Sequence, residues 1–244
     1  MRRRLALALL VACAVAPAAA AQSGQVAHGK ELFGRYCLSC HGANGAGIQP
    51  PGTGKGYGPS LQGVGALAAD FYLRTGYMPL RRVPGQPRRS RLLLSPGDID
   101  ALVAYVASLA SGPAVPDPHP EQGSLAEGQK LFTDHCSGCH QVVAAGGYLT
   151  GAVAPSLDHA TARQVAEAVR IGPYVMPRFT EKDLSRHQVD SLVRYIEYAK
   201  HPDDRGGWAI GRVGPVPEGL VTWFLGASTL VGVCIVIGKR LSRG

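Results

Sequence analysis

The chain has 244 residues, six cysteines and a formal net charge of +8. Four of the cysteines form two tight pairs and the other two, Cys13 and Cys234, sit in apolar terminal segments, which excludes the disulfide framework that staples small secreted domains. A positive balance of this size suits nucleic acid, but the apolar ends read as an export signal and a membrane anchor, and an exported, tethered chain is excluded from that class.

Residues 1–21 begin with Arg2, Arg3 and Arg4, continue as an apolar run from Leu5 to about Val15, and end on Ala18 to Ala21 before Gln22. This is the order of an export signal: charged region, hydrophobic region, small-residue cleavage site. A retained N-terminal anchor is the competing reading, and Leu10-Val11-Ala12-Cys13 loosely resembles a lipoprotein cleavage box. Each of these places the following residues outside the cytoplasmic membrane.

Residues 25–110 read as a first domain. A short helix is expected over 26–36, with Gly29 allowing a closing helix to approach, and it leads into Cys37-Leu38-Ser39-Cys40-His41. Two thiols three positions apart can each form a thioether with a haem vinyl group, and the imidazole that follows then lies under the iron, which is the signature of covalent haem attachment. A lone Cys-x-x-Cys also suits half of a zinc site or a redox dithiol. The adjoining His and the repetition described below favour haem. The Gly- and Pro-rich middle reads as loop wrapped around the haem. Arg81, Arg82, Arg88, Arg89 and Arg91 follow as a basic loop, read as a docking site for an acidic partner or subunit, with a solvated loop as the alternative. Ser95-Pro96 starts the closing helix, Ile99, Leu102, Val103 and Val106 recur at spacings of three and four, and Gly112-Pro113 stops it.

Residues 111–123 are a proline-rich linker that would reach roughly 40 Å at about 3.1 Å per residue. Tunnelling falls off exponentially with distance, so a working pair of haems requires direct contact between the domains. Residues 124–201 repeat the first unit: Gly29-x-x-Leu32-Phe33-x-x-x-Cys37 matches Gly128-x-x-Leu131-Phe132-x-x-x-Cys136, and Cys136-Ser137-Gly138-Cys139-His140 is a second attachment motif. Pro59-Ser60-Leu61 matches Pro155-Ser156-Leu157, Met78-Pro79 matches Met176-Pro177, and the closing-helix pattern returns at Val189, Leu192, Val193 and Ile196. Two covalent haems c are therefore expected, on Cys37 and Cys40 and on Cys136 and Cys139. His41 and His140 are the expected proximal ligands. The chain has three Met residues; Met78 and Met176, each before a Pro and 37 and 36 residues beyond its His, are the expected sixth ligands. Pro59 and Pro155 stand where a backbone carbonyl would hold the other imidazole nitrogen. The remaining histidines, His28, His119, His135, His159, His187 and His201, have no matched partner and read as surface residues, with His159 or His187 as an alternative ligand.

Residues 202–219 form a juxtamembrane segment and 220–238 a transmembrane helix. Leu220 to Ile237 is 18 residues without a charge, roughly 27 Å as a helix. In the tail, 239–244, Lys239, Arg240 and Arg243 put the C-terminus in the cytoplasm by the positive-inside rule, and Trp208 and Trp223 fit interfacial positions.

Taken together, the haem motifs with Thr75-Gly-Tyr-Met-Pro79, Ile171-Gly-Pro-Tyr-Val-Met-Pro177 and, above all, Gly206-Gly-Trp-Ala-Ile-Gly-Arg-Val-Gly-Pro-Val-Pro-Glu-Gly219 before the anchor resemble the dihaem cytochrome cc subunit of actinobacterial menaquinol:cytochrome c oxidoreductase, from about Gly29 to Arg240. The resemblance implies a mainly α fold of two tandem class I cytochrome c domains and a C-terminal membrane helix. It further implies partnership with cytochrome b and a Rieske iron-sulfur subunit, and delivery of electrons to a terminal haem-copper oxidase, often in one supercomplex. This family's N-terminal segment is often a retained anchor, so one or two membrane passes are compatible with it. The chain would be a subunit of a quinol-cytochrome c reductase with no catalytic acid, base or nucleophile of its own. Two alternatives remain: a membrane-anchored dihaem carrier of another oxidase or dehydrogenase complex, and a dihaem enzyme, which would need an open or displaceable sixth position that two matched Met-Pro motifs argue against.

Overall fold

The computed structural model describes residues 22–48, 58–80, 88–202 and 215–242. The export segment, Arg81, Arg82 and most of the Gly-Gly-Trp stretch lie outside these. Two helical units built on one plan are followed by a long apolar helix.

In the N-terminal unit, α1 (22–36) crosses α4 (Pro96–Leu109). The crossing is set by Gly29, where a Cβ would stand 1.9 Å from the Ala101 carbonyl oxygen. Only a residue without a side chain lets the two backbones approach this closely. Leu32, Phe33, Ala101, Leu102 and Tyr105 make the core at that crossing, with the Phe33 and Tyr105 rings 5.2 Å apart. The Ser95 hydroxyl accepts from the Asp98 N–H at 3.2 Å, so the cap expected from Ser95-Pro96 is formed.

The C-terminal unit repeats this arrangement. There α5 (Leu125–His135) crosses α8 (Arg186–Lys200), a Cβ on Gly128 would stand 1.9 Å from the Ser191 carbonyl oxygen, and Phe132 is wholly buried against Tyr195 at 5.3 Å between ring centres. Ser185 and Gln188 form a capping box at the start of α8. Each attachment motif folds into one short helical turn, α2 (Leu38–His41) and α6 (Ser137–His140).

The middle of each unit is more than the expected loop. It contains α3 (Gly65–Arg74) in the first and α7 (Ala162–Ile171) in the second, the latter preceded by an antiparallel hairpin of β1 (Gly147–Leu149) and β2 (Ala152–Ala154). The helical signal was present but short: Leu67 and Phe71 on α3, and Val165, Ala166 and Val169 on α7, are buried at helical spacing. Thr161 and Gln164 cap α7, and Gly172, at φ 63°, ends it in the left-handed conformation.

These two middle helices pack against each other and join the units, as the tunnelling argument requires. Gln164 Nε2 donates to the Arg74 carbonyl at 3.4 Å, and Arg89 donates to the His159 carbonyl at 2.8 Å and to the Gln164 side chain. Arg89 of the basic loop therefore makes contact within the chain. The linker is fastened at both ends: Leu67 N–H donates to the Pro113 carbonyl at 3.1 Å, and His119 N–H donates to Asp190 at 2.7 Å.

At the centre of the junction Asp70 and Glu167 face one another. Glu167 is wholly buried and Asp70 is 3 % exposed. Asp70 is paired to Arg74 at 2.8 Å, and Arg74 also holds Asp100. Asp70 Oδ2 and both Glu167 oxygens have no hydrogen-bond donor among the described residues. A proton held by Glu167 resolves this, because the carboxyl can then donate to Asp70. Burial, followed by the Asp70 hydrogen bond and charge, pushes Glu167 up to about 9 from an ordinary 4.5, partly opposed by Arg163 and Arg74.

Between those two values the folded state binds the proton and the unfolded chain does not, so stability must fall as pH rises across that window. The slope is at most about 1.4 kcal/mol per pH unit. Thermal unfolding of the haem-loaded protein at pH 5.5 and 8 should show this loss, and Glu167→Gln should remove most of it. An unchanged slope in the variant would assign the pH dependence elsewhere.

After the second unit, α9 (Pro215–Leu241) carries a stretch without a charge from Leu220 to Gly238, none of whose residues is buried in the rest of the protein. An unpacked apolar helix of that length fits a bilayer. The expected transmembrane segment, 220–238, lies inside it.

Candidate functional site

Each site is built on a tight turn. In the first, His41 N–H and Cys40 N–H both donate to the Cys37 carbonyl, at 2.9 and 3.1 Å; in the second, His140 and Cys139 donate to the Cys136 carbonyl at the same two distances. In the second site both cysteines and the imidazole border one cavity. His41 Nδ1 lies 2.8 Å from the Pro59 carbonyl oxygen, and His140 Nδ1 lies 3.0 Å from that of Pro155. The carbonyl can only accept, so Nδ1 carries the proton and Nε2 is left with a free lone pair, the form in which imidazole binds a metal. Burial also pushes the His140 imidazole below its ordinary value, though the Pro155 carbonyl opposes this, and the net effect favours the neutral ring.

The thiols do not resemble a redox pair. Burial and the neighbouring cysteine push Cys37 and Cys136 up to about 11, whereas catalytic dithiols have lowered values. Among the described residues no disulfide is formed.

Beside the second turn lies a cavity whose apolar surface is provided by residues such as Phe132, Val165 and Val169, with Cys136, Cys139, His140 and Met176 in its wall. The donor set fits haem c: two sulfurs for the vinyl groups, one imidazole nitrogen, and a thioether. All four second-site residues expected from sequence therefore converge on one cavity. In the first unit His41, Cys37 and Cys40 share the turn and Met78 is half-buried, held by its N–H to the Tyr72 carbonyl at 3.0 Å. Segments 49–57 and 81–87 that flank this site are outside the described residues.

His135, read as a surface residue, is exposed and also borders the cavity, packing on Phe179 at 6.0 Å between ring centres. What escaped the sequence is the first unit's share of this cavity. Phe71, Thr75, Tyr77 and Arg89 also line it, although all four belong to the first unit. A linear repeat cannot show which residues one unit lends to the other.

Family profiles agree with this division. Residues 26–110 match the profile described as cytochrome c, and 123–196 match that of cytochrome c oxidase, cbb3-type, subunit III. The chain is 33% identical to the cytochrome bc1 complex cytochrome c subunit of Corynebacterium diphtheriae, across 93% of this chain and 85% of that protein. It is 36% identical to the subunit of the same description from Mycobacterium bovis, across 93% and 82%. A cbb3-type cytochrome c oxidase subunit CcoP of Azospirillum is 28% identical over 70% of this chain and 61% of its own length.

Proposed function

Because the chain belongs to the family of cytochrome bc1 complex cytochrome c subunits, we propose that it binds two haems c and relays electrons from a Rieske iron-sulfur protein, through both haems, to a terminal haem-copper oxidase. The observation that carries the reading is the duplicated turn, in which a paired-cysteine motif and a His fixed by a prolyl carbonyl recur in both units. Cys37 and Cys40 hold one haem, Cys136 and Cys139 the other. His41 with Met78, and His140 with Met176, would supply each iron's protein ligands. Bound haem supplies the reversible one-electron couple. The chain's residues supply fixed ligands, an apolar surround that excludes water, and short separation.

The cytochrome domains occupy 25–110 and 124–201 on the outer membrane face, and α9 crosses with its Lys239 and Arg240 end in the cytoplasm. Cytochrome b and the Rieske protein are the partners within the complex. Quinol oxidation takes place in those subunits, and this chain contributes no acid, base or nucleophile to it. The match of 123–196 to a cbb3 oxidase subunit favours a second reading, a dihaem carrier of another oxidase complex.

Affinity purification through this chain from mild-detergent extracts separates the two. Two c haems per chain together with b haem, a Rieske protein and menaquinol-dependent reduction are expected. Recovery with an oxidase alone would favour the second reading, and one haem per chain would contradict both. Removing residues 215–244 is expected to release the haem-loaded remainder from the membrane fraction, as read by haem absorbance after centrifugation.

A further inference from the structure

The second cavity is bordered by a residue from the segment that carries Met78. Tyr77 directly precedes Met78, yet its side chain lines the cavity that holds His140 and Met176. The segment is held by hydrogen bonds: Thr75 Oγ1 donates to the Phe71 carbonyl at 2.6 Å, Ser90 Oγ donates to the Gly76 carbonyl at 2.6 Å, and Met78 N–H donates to the Tyr72 carbonyl at 3.0 Å. The Tyr77 ring meets Phe71 edge-on at 5.6 Å between centres and lies 6.3 Å from Tyr72.

We propose that Tyr77 is the electronic bridge between the two haem sites, joining the backbone of the Met78 ligand to the edge of the haem held in the second cavity. The proposal rests on the two-haem reading with Met78 as a ligand. Electronic coupling decays much less along covalent bonds than across gaps. From the Met78 thioether the path runs through its side chain and one peptide unit to the Tyr77 ring, and then makes a single non-bonded jump. One electron crosses, one iron being oxidised as the other is reduced, and no bond forms or breaks. No proton moves: a phenol, with an ordinary value of about 10, stays protonated at neutral pH. Tyr77 is a positioning residue that couples two redox groups and is itself neither oxidised nor reduced.

The test uses the full-length haem-loaded protein in detergent. An electron is injected by flash photoreduction, and its redistribution between the two haems is followed in the visible spectrum. Tyr77→Phe keeps the ring and is expected to redistribute within about twofold of the unsubstituted protein. Tyr77→Leu opens a gap of roughly 3.5 Å, one contact distance, and is expected to slow redistribution by at least an order of magnitude, with the methionine-to-iron absorption of the first site retained. Tyr77→Ile is made alongside, so that the comparison does not depend on one variant folding. Tyr77→Ala admits water to the second cavity and should lower that site's midpoint potential while leaving the first site's unchanged.

Unaltered redistribution in the ring-less variants would overturn the bridge. So would a Tyr77→Ala potential shift confined to the first site. An unsubstituted protein without two methionine-ligated haems would overturn the underlying reading, and the bridge with it.

Discussion

Gly29→Ala is expected to destabilise the N-terminal unit by roughly 3 kcal/mol, a large part of what a small domain has. The added Cβ would lie 1.9 Å from the Ala101 carbonyl oxygen and 2.8 Å from the Tyr105 Cβ. The atom struck is backbone, so α1 and α4 must separate, and the packing of Phe33 on Tyr105 separates with them. Gly34 on the same helix has nothing within 4 Å, so Gly34→Ala should raise stability by about 0.5–1 kcal/mol through helix propensity alone. Opposite signs five residues apart, read by thermal or denaturant unfolding, isolate the crossing from any general intolerance of α1. Gly128→Ala, which meets Ser191 in the same way, should behave like Gly29→Ala. Two destabilised variants with a neutral Gly34→Ala would keep the argument; equal effects at Gly29 and Gly34 would defeat it.

Met176→Ala is expected to abolish the methionine-to-iron absorption of one haem only. Its midpoint potential should fall on the order of 0.1–0.3 V, within the roughly 0.8 V range that axial ligands span. The freed sixth position should bind carbon monoxide, which a six-coordinate site excludes. Haem attachment through Cys136 and Cys139 should persist, since Met176 is not part of the turn that carries the thiols. The same change at Met78 should affect the other haem. Carbon monoxide binding to the unsubstituted protein would instead indicate that Met176 is not a ligand.

The internal repeat made several elements of the fold legible in the sequence. The two attachment turns, the two capped closing helices and the glycine crossings all have matched partners 90 to 99 positions away, and all occur in the structure. The features it concealed arise where the units differ or meet. Helices α3 and α7 are ten residues each, short enough for surrounding Gly and Pro to mask their period. Asp70 and Glu167 occupy unremarkable helical positions in sequence, and their juxtaposition exists only once α3 lies on α7. Arg89 looked like an invitation to another protein because it has no counterpart in the second unit, yet it donates to the second unit itself. Periodicity identifies elements, but contacts between non-equivalent faces leave no period.

The linker tied at Leu67 and at Asp190 has a kinetic consequence. Two cytochromes on a loose tether would collide and part, and each electron would wait for a productive encounter, so throughput would drop as the medium thickened. With the strap fastened at both ends and the units already joined, no such search takes place. Passage between the sites should therefore be insensitive to added glycerol, leaving solvent viscosity to govern only the arrival and departure of external donors and acceptors.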